Sequence, residues 1–117
     1  LQSPKIEQIF IIADKREYVT ALVVPNQEEY KQKFGVGDHF FLQDDRFIDE
    51  PAVHAWLEED IKRLGEALAK YARIREFRVK RHMFTQESGE LTITLKTKRK
   101  VVMQNYEKEI EAMYAAD

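Results

Sequence analysis

The run Leu91-Thr92-Ile93-Thr94-Leu95-Lys96-Thr97-Lys98-Arg99-Lys100 holds the residue types that bear most directly on chemistry. Four cations, Lys96, Lys98, Arg99 and Lys100, follow the hydroxyl residues Thr92 and Thr94 with no acid among them. A helical pattern starts near Lys98, so three of the four cations fall in its first turn. The positive end of a helix dipole disfavours exposed cations there by about 0.3–1 kcal/mol each. An anionic ligand reverses that balance: backbone N–H groups, ammonium groups and threonine hydroxyls together suit a phosphate or a carboxylate. A basic helix start that is solvated or ion-paired is the plainer alternative, because runs of one sign are usually wet faces.

Other chemistry is poorly provided for. His39, His54 and His82 are far apart, with no carboxylate at metal-ligand spacing, so no metal site is expected. Asp44, Asp45, Asp49 and Glu50 lack the alternating spacing and central glycine of a calcium loop. Ser3 and Ser88 have no histidine placed to activate them, and there is no glycine-rich phosphate loop. The chain does not carry a complete catalytic set.

The elements that must position these residues follow from periodicity. Residues 6–14 and 18–24 read as two strands of an antiparallel hairpin, joined by the polar Asp14-Lys15-Arg16-Glu17 and ended by Pro25-Asn26. Residues 27–34 read as a short helix with Asn26 as N-cap and Gly35 past its end, and 36–49 as an irregular segment that partly packs down. Val53, Trp56, Leu57, Ile61, Leu64, Leu68 and Tyr71 recur at helical steps, predicting a helix over 50–71 with Asp49 as N-cap. Residues 75–84 alternate, with Phe77, Val79 and Met83 inside and Arg78, Lys80 and His82 on a wet, basic face. A short extended piece, 91–95, precedes a last helix over about 98–115 with Val102, Tyr106, Ile110 and Met113 inward. The expected fold is α+β: a small, mainly antiparallel three-stranded sheet covered by helices, plus a C-terminal helix.

Composition bounds the rest. A chain of 117 residues supports one core, so 1–117 is expected to be a single domain. With no cysteine, disulfide frameworks and thiolate metal sites are excluded, and no apolar leader or membrane span is visible. A cytoplasmic setting is expected, with any membrane association peripheral and at the inner face. The net charge of −2 hides a polarity: residues 73–100 carry nine cations against three acids, a local +6, and the remainder −8. That basic region supports a rival reading as an anion- or nucleic-acid-binding module, although Phe77, assigned inward, leaves it no stacking platform. A non-catalytic domain that docks through its long helix is a third reading.

The wording of the sequence goes further. Phe84-Thr85-Gln86-Glu87-Ser88-Gly89-Glu90 leading into the run 91–102, followed by Tyr106, Ile110, Glu111, Met113 and Tyr114, closely resembles the carboxy-terminal end of long-chain fatty-acid CoA ligases. These belong to the AMP-forming adenylating superfamily. Ile6-Glu7-Gln8 running into 9–12, and Tyr18 to Asn26, are similar to the two strands that open the family's small mobile domain.

The resemblance implies a domain that swings against a large N-terminal adenylating domain, making acyl-AMP in one orientation and acyl-CoA in the other. It implies fatty acid, ATP and CoA as substrates of the full enzyme, Mg2+ accompanying ATP, no cofactor on this fragment and no nucleic-acid partner. The family's hinge and CoA-tunnel loop lie upstream of Leu1, so this domain is expected to be inactive alone. The superfamily pattern of threonine, small residue, lysine and a later arginine falls on Thr94, Lys96 and Arg99. Lys96 would then bridge carboxylate and phosphate during adenylation, with Lys98 as the competing assignment. Two positions depart from the family: Ile93 stands for its usual proline, and Leu95 for the wider superfamily's glycine.

Overall fold

The computed structural model describes residues 3–13, 16–68 and 73–115. They form two compact units, Leu1–His82 and Met83–Asp117.

In the first unit, β1 (Ile6–Ile12) and β2 (Val19–Pro25) pair antiparallel, with Ile9 opposite Val23 and Phe10 opposite Leu22. Both are rich in β-branched residues, which fit a pleated half-buried surface. Asp14 and Lys15, expected in the turn, lie outside the described residues. Helix α1 (Gln27–Phe34) begins as expected: the Asn26 side chain accepts a bond from the Glu29 N–H at 3.0 Å. It ends at Gly35, which adopts φ 67° and donates its N–H to the Lys31 carbonyl at 2.8 Å.

The segment expected to be irregular contains a 3-10 helix, Asp38–Leu42, which buries Phe41 while Asp44 and Asp45 stay exposed. Helix α2 (Pro51–Leu68) follows. Its first helical bond runs from the His54 N–H to the Glu50 carbonyl, so Glu50, and not Asp49, holds the N-cap position. Pro51 then takes the first helical place, where its missing N–H costs nothing. Val53, Leu57 and Ile61 are buried, Trp56 packs against the same core, and Leu64 is only half-buried. Tyr71 and the Leu68 side chain lie outside what is described.

Strand β3 (Ile74–Val79) lies beside β2 and parallel to it, with Ala21 opposite Phe77 and Val23 opposite Val79. The sheet, ordered β1-β2-β3, is therefore mixed rather than mainly antiparallel. The cause is α2, since a helical crossover is the standard way to return a chain for parallel pairing. Ile6, Ala21, Val23, Phe77 and Val79 pack with the buried residues of α2 into one core. An aromatic cluster closes one end of it: the Tyr30 ring lies 5.1 Å from Phe40 and 5.4 Å from Phe41, centroid to centroid. Burial pushes the Tyr30 hydroxyl above its ordinary pKa, with the nearby Arg81 charge opposing.

The expected wet basic face of β3 is found only in part: Arg78 and His82 are half-buried, but Lys80 is withdrawn from water. The strand stops at Val79, and residues 46–48 close on its free edge: the Ile48 N–H bonds the Val79 carbonyl at 2.9 Å, and the Arg81 N–H bonds the Arg46 carbonyl at 2.8 Å. Lys80 is buried, with its ammonium on the His82 carbonyl, and Met83, expected inside, is 37 % exposed. Arg81 is buried too, donating to the carbonyls of Asp45 at 2.8 Å and Phe40 at 2.7 Å, with its guanidinium 4.4 Å above the Phe40 ring. Alternation could not anticipate an edge covered by a segment from elsewhere in the chain.

Asp60 is the buried acid of α2. It accepts bonds from Ser3 Oγ at 2.6 Å and Arg63 at 3.0 Å, and pairs with Lys5 at 3.5 Å. Burial pushes its pKa up, but those bonds and the Lys5 charge outweigh burial and hold it below its ordinary value.

In the second unit the expected last helix is two helices, α3 (Arg99–Asn105) and α4 (Glu107–Ala115), broken at Tyr106 (φ −117°, ψ 24°). Asn105, a residue that tends to end helices, turns its side chain to Glu90 at 3.1 Å. The inward stripe survives the break, for Val102, Tyr106, Ile110 and Met113 are all buried.

Candidate functional site

Residues 91–97, expected as a simple extended piece, fold back on themselves as a tight hairpin. Leu91 and Thr97 form an antiparallel bridge at its base. Thr92 pins the turn through three groups: its N–H donates to the Lys96 carbonyl at 2.8 Å, its carbonyl accepts from the Leu95 N–H at 2.9 Å, and its hydroxyl accepts from the Lys96 N–H at 3.1 Å. The Thr92 and Thr94 hydroxyls lie 3.1 Å apart. Closing so short a turn drives Leu95 to φ 63°, the only positive φ at a non-glycine position among the described residues. That conformation places its Cβ close to the carbonyl oxygen and costs on the order of 1–2 kcal/mol.

The base of the hairpin is anchored from both sides. Thr85 and Ser88 exchange bonds, from the Ser88 N–H to Thr85 Oγ1 at 3.0 Å and from the Thr85 N–H to Ser88 Oγ at 3.2 Å, and Gly89 turns the chain at φ 79°. Glu90 is buried, and its carboxylate accepts from Ser88 Oγ at 2.9 Å and Asn105 Nδ2 at 3.1 Å. Its backbone carbonyl accepts from the Lys98 N–H at 2.8 Å, tying the start of α3 to the hairpin. The Gln86 side-chain amide reaches the Ile93 carbonyl near the tip at 3.3 Å. Gln86-Glu87-Ser88-Gly89 reads as a turn in the sequence and is one in the structure, whereas the burial of Glu90 and the fold-back of 91–97 have no such local signal.

The candidate residues are brought onto one small platform, though not to one point. Thr94 and Lys98 line an open hollow of about 570 Å³ together with Thr92 and Gln86, while Lys96 lies outside its wall. Lys98 precedes α3 without capping it through its side chain, and Arg99 is the first helical residue. Lys96, Lys98, Arg99 and Lys100 are exposed, and no acid pairs with Lys96 or Lys98 among the described residues. Exposed cations left unpaired on a constrained loop can neutralise an anion delivered to it. The α3 helix spans only about two turns, so its dipole contributes less than the single longer helix of the sequence pattern implied.

The basic stretch 73–81 is not a second platform of this kind. Lys80 and Arg81 are buried, Arg78 contacts Glu76 at 3.3 Å, and the Arg75 guanidinium lies over the Tyr18 ring at 4.5 Å. Among the described residues no group of three or more His, Asp or Glu side chains could hold a metal ion.

The whole chain, residues 1–117, matches the profile of the AMP-binding enzyme C-terminal domain, and the chain belongs to that family. It is 31 % identical over 120 residues to the long-chain-fatty-acid–CoA ligase FadD15 of Mycobacterium tuberculosis, an alignment covering 95 % of this chain and 19 % of that protein. With human long-chain-fatty-acid–CoA ligase 6 it shares 27 % identity over 122 residues, covering 98 % of this chain and 17 % of the relative. The chain thus spans less than a fifth of the length of these two relatives. Its fold is similar to part of the A-PCP didomain of carboxylic acid reductase from Segniliparus rugosus, solved in complex with AMP. The TM-score is 0.73 at 30 % identity, with 98 % of this chain and 14 % of that chain covered. The α+β arrangement, a three-stranded mixed sheet with four α-helices, is that of the reductase's corresponding region.

Proposed function

We propose that this chain is the small mobile domain of a long-chain fatty-acid CoA ligase, working against a large N-terminal adenylating domain, and that Lys96 is its adenylation lysine. The observation that carries the choice of Lys96 over Lys98 is the left-handed backbone at Leu95. The superfamily's glycine falls at this place, directly before its lysine, and a left-handed position is what a glycine there would serve. In adenylation the fatty-acid carboxylate attacks the α-phosphorus of ATP and pyrophosphate leaves. The Lys96 ammonium would neutralise charge shared between carboxylate and phosphate, Thr94 would offer a hydroxyl, and Arg99 and Lys98 would add positive potential. Mg2+ would arrive with ATP, since among the described residues no group of three or more His, Asp or Glu side chains could hold it. CoA would enter in the second orientation, in a cytoplasmic enzyme.

The likeness to carboxylic acid reductase favours a second reading, in which the same first step feeds a reduction instead of a CoA ester. Both are tested in the enzyme that carries this domain. Lys96→Ala should slow acyl-AMP formation by roughly a hundredfold to a thousandfold, while conversion of presynthesised acyl-AMP and CoA to acyl-CoA is spared. Equal loss in both steps refutes the role of Lys96, and a selective defect in Lys98→Ala alone moves the assignment by two residues. An unmodified enzyme that makes acyl-AMP but never acyl-CoA is a reductase-type protein. Alone, the 117-residue chain should release no pyrophosphate from ATP and palmitate.

A further inference from the structure

A second hollow, of about 510 Å³, is lined entirely by residues of the first unit, from the middle of α2 and the start of β3. Its apolar base belongs to the core, for Ile61 and Phe77 are both buried. One wall is a flat ring: His54, half-buried, lies on Phe77 with the centroids 3.9 Å apart and the planes 9° from parallel. Tyr18, under the Arg75 guanidinium, adds a further aromatic surface. Three cations, Lys62, Arg73 and Arg75, line the hollow against one acid, Glu58. Lys62 and Arg73 are exposed, and no acid pairs with either among the described residues. We propose that this hollow binds a small aryl carboxylate, its flat ring against the aromatic and aliphatic lining and its carboxylate at Lys62 and Arg73.

The choice of ligand follows from what each part of the lining can satisfy. The volume is that of a small-molecule site, and apolar surface with a few convergent charged groups is the usual lining of one. A bare inorganic anion would meet the two cations and leave the apolar base and the His54 ring facing water. A neutral ring would cover that surface but gain nothing from Lys62 and Arg73. A phosphate dianion is opposed twice. Glu58 repels two negative charges more than one, and phosphate sites draw on free backbone N–H groups. Helix α2 offers none here, because it presents its middle, where each N–H is spent within the helix. No residue of the hollow belongs to the run 91–100, so the proposal does not depend on the role of Lys96.

The test is a titration of the 117-residue chain with 1-naphthoate, followed through backbone amide resonances. Saturable one-to-one shifts are expected at residues 54, 58, 62 and 73–77. The neutral 1-naphthamide, with the same ring and no charge, should bind about tenfold or more weakly, and acetate should give no saturable shift. Lys62→Gln and Arg73→Gln should each weaken naphthoate by about fivefold and leave naphthamide unchanged, which separates a lost charge from a damaged fold. Absence of saturable shifts, or shifts confined to other residues, overturns the proposal. So does naphthamide binding as tightly as naphthoate, which would mark a plain apolar crevice, or naphthoate affinity untouched by both variants. Displacement of naphthoate by inorganic phosphate, at ionic strength matched with chloride, would overturn it by showing a site for bare anions. Tighter binding of 1-naphthyl phosphate than of naphthoate would replace the carboxylate with a phosphate.

Discussion

Replacing Leu95 separates backbone conformation from side-chain burial, because the residue sits at φ 63° and is 68 % exposed. Leu95→Ala removes what little packing the side chain has and keeps the Cβ. Leu95→Gly removes the same packing and the Cβ with it. In the left-handed region the Cβ costs about 1–2 kcal/mol, and the extra freedom of glycine in the unfolded chain costs about 0.4–1 kcal/mol. Glycine should therefore be the more stable of the two by about 0.5–1 kcal/mol. At an ordinary extended or helical position the sign is opposite, with glycine worse by roughly 0.5–1 kcal/mol. A third variant, Leu95→Val, should be worse than alanine, since a β-branched residue tolerates positive φ least. Amide hydrogen exchange at Lys98 reads the local opening, because its N–H is held by Glu90 at the base of the hairpin. A difference near 1 kcal/mol is about a fivefold change in exchange rate. Glycine exchanging faster than alanine, or valine slower, would refute the left-handed turn and with it the basis for preferring Lys96.

Other expectations follow from the core and its buried polar groups. Leu57→Ala should cost about 2–5 kcal/mol in urea unfolding, because Leu57 is fully buried, and Leu64→Ala should cost less since Leu64 is only half-buried. Arg81→Met strands two carbonyls, those of Asp45 and Phe40, so a loss of about 1–3 kcal/mol for each unsatisfied group is expected from the same measurement. The pKa of Asp60 is lowered on folding, so its contribution is fully present above the ordinary value of 3.8 and disappears as pH falls through the lower folded-state value. Stability measured against pH should show that acid loss, and Asp60→Asn should flatten it.

The hairpin β1–β2, helix α1 with both of its caps and the inward stripe of 102–113 were legible because each rests on local periodicity or on one residue type at one position. Asn26, Gly35 and Tyr106 are where expected for local reasons. What was not legible depends on distant segments meeting. Lys80 and Arg81 belong to an alternating run, and only the return of residues 46–48 to the β3 edge removes that end from water. The parallel sense of β3 depends on how α2 crosses the sheet, which periodicity does not encode. At the candidate site the residue types were visible, but a leucine gives no turn signal, so the fold-back of 91–97 was hidden by the residue that stands in the left-handed place.

The parallel ladder also sets an order of events during synthesis. β1 and β2 are neighbours in sequence and can pair within about 1–10 μs of leaving the ribosome. β2 and β3 pair residues more than fifty positions apart, Val19 with Ile74, so at about 5–20 residues per second the second partner of β2 emerges some seconds later. Through that interval the edge of β2, a strand that is buried from Thr20 to Pro25 in the finished protein, stands open. An unpaired apolar edge is a template for wrong pairing. A ribosomal stall or a truncation between Leu68 and Ile74 would thus release a chain with its most aggregation-prone edge uncovered, whereas one just after Val79 would release a completed sheet.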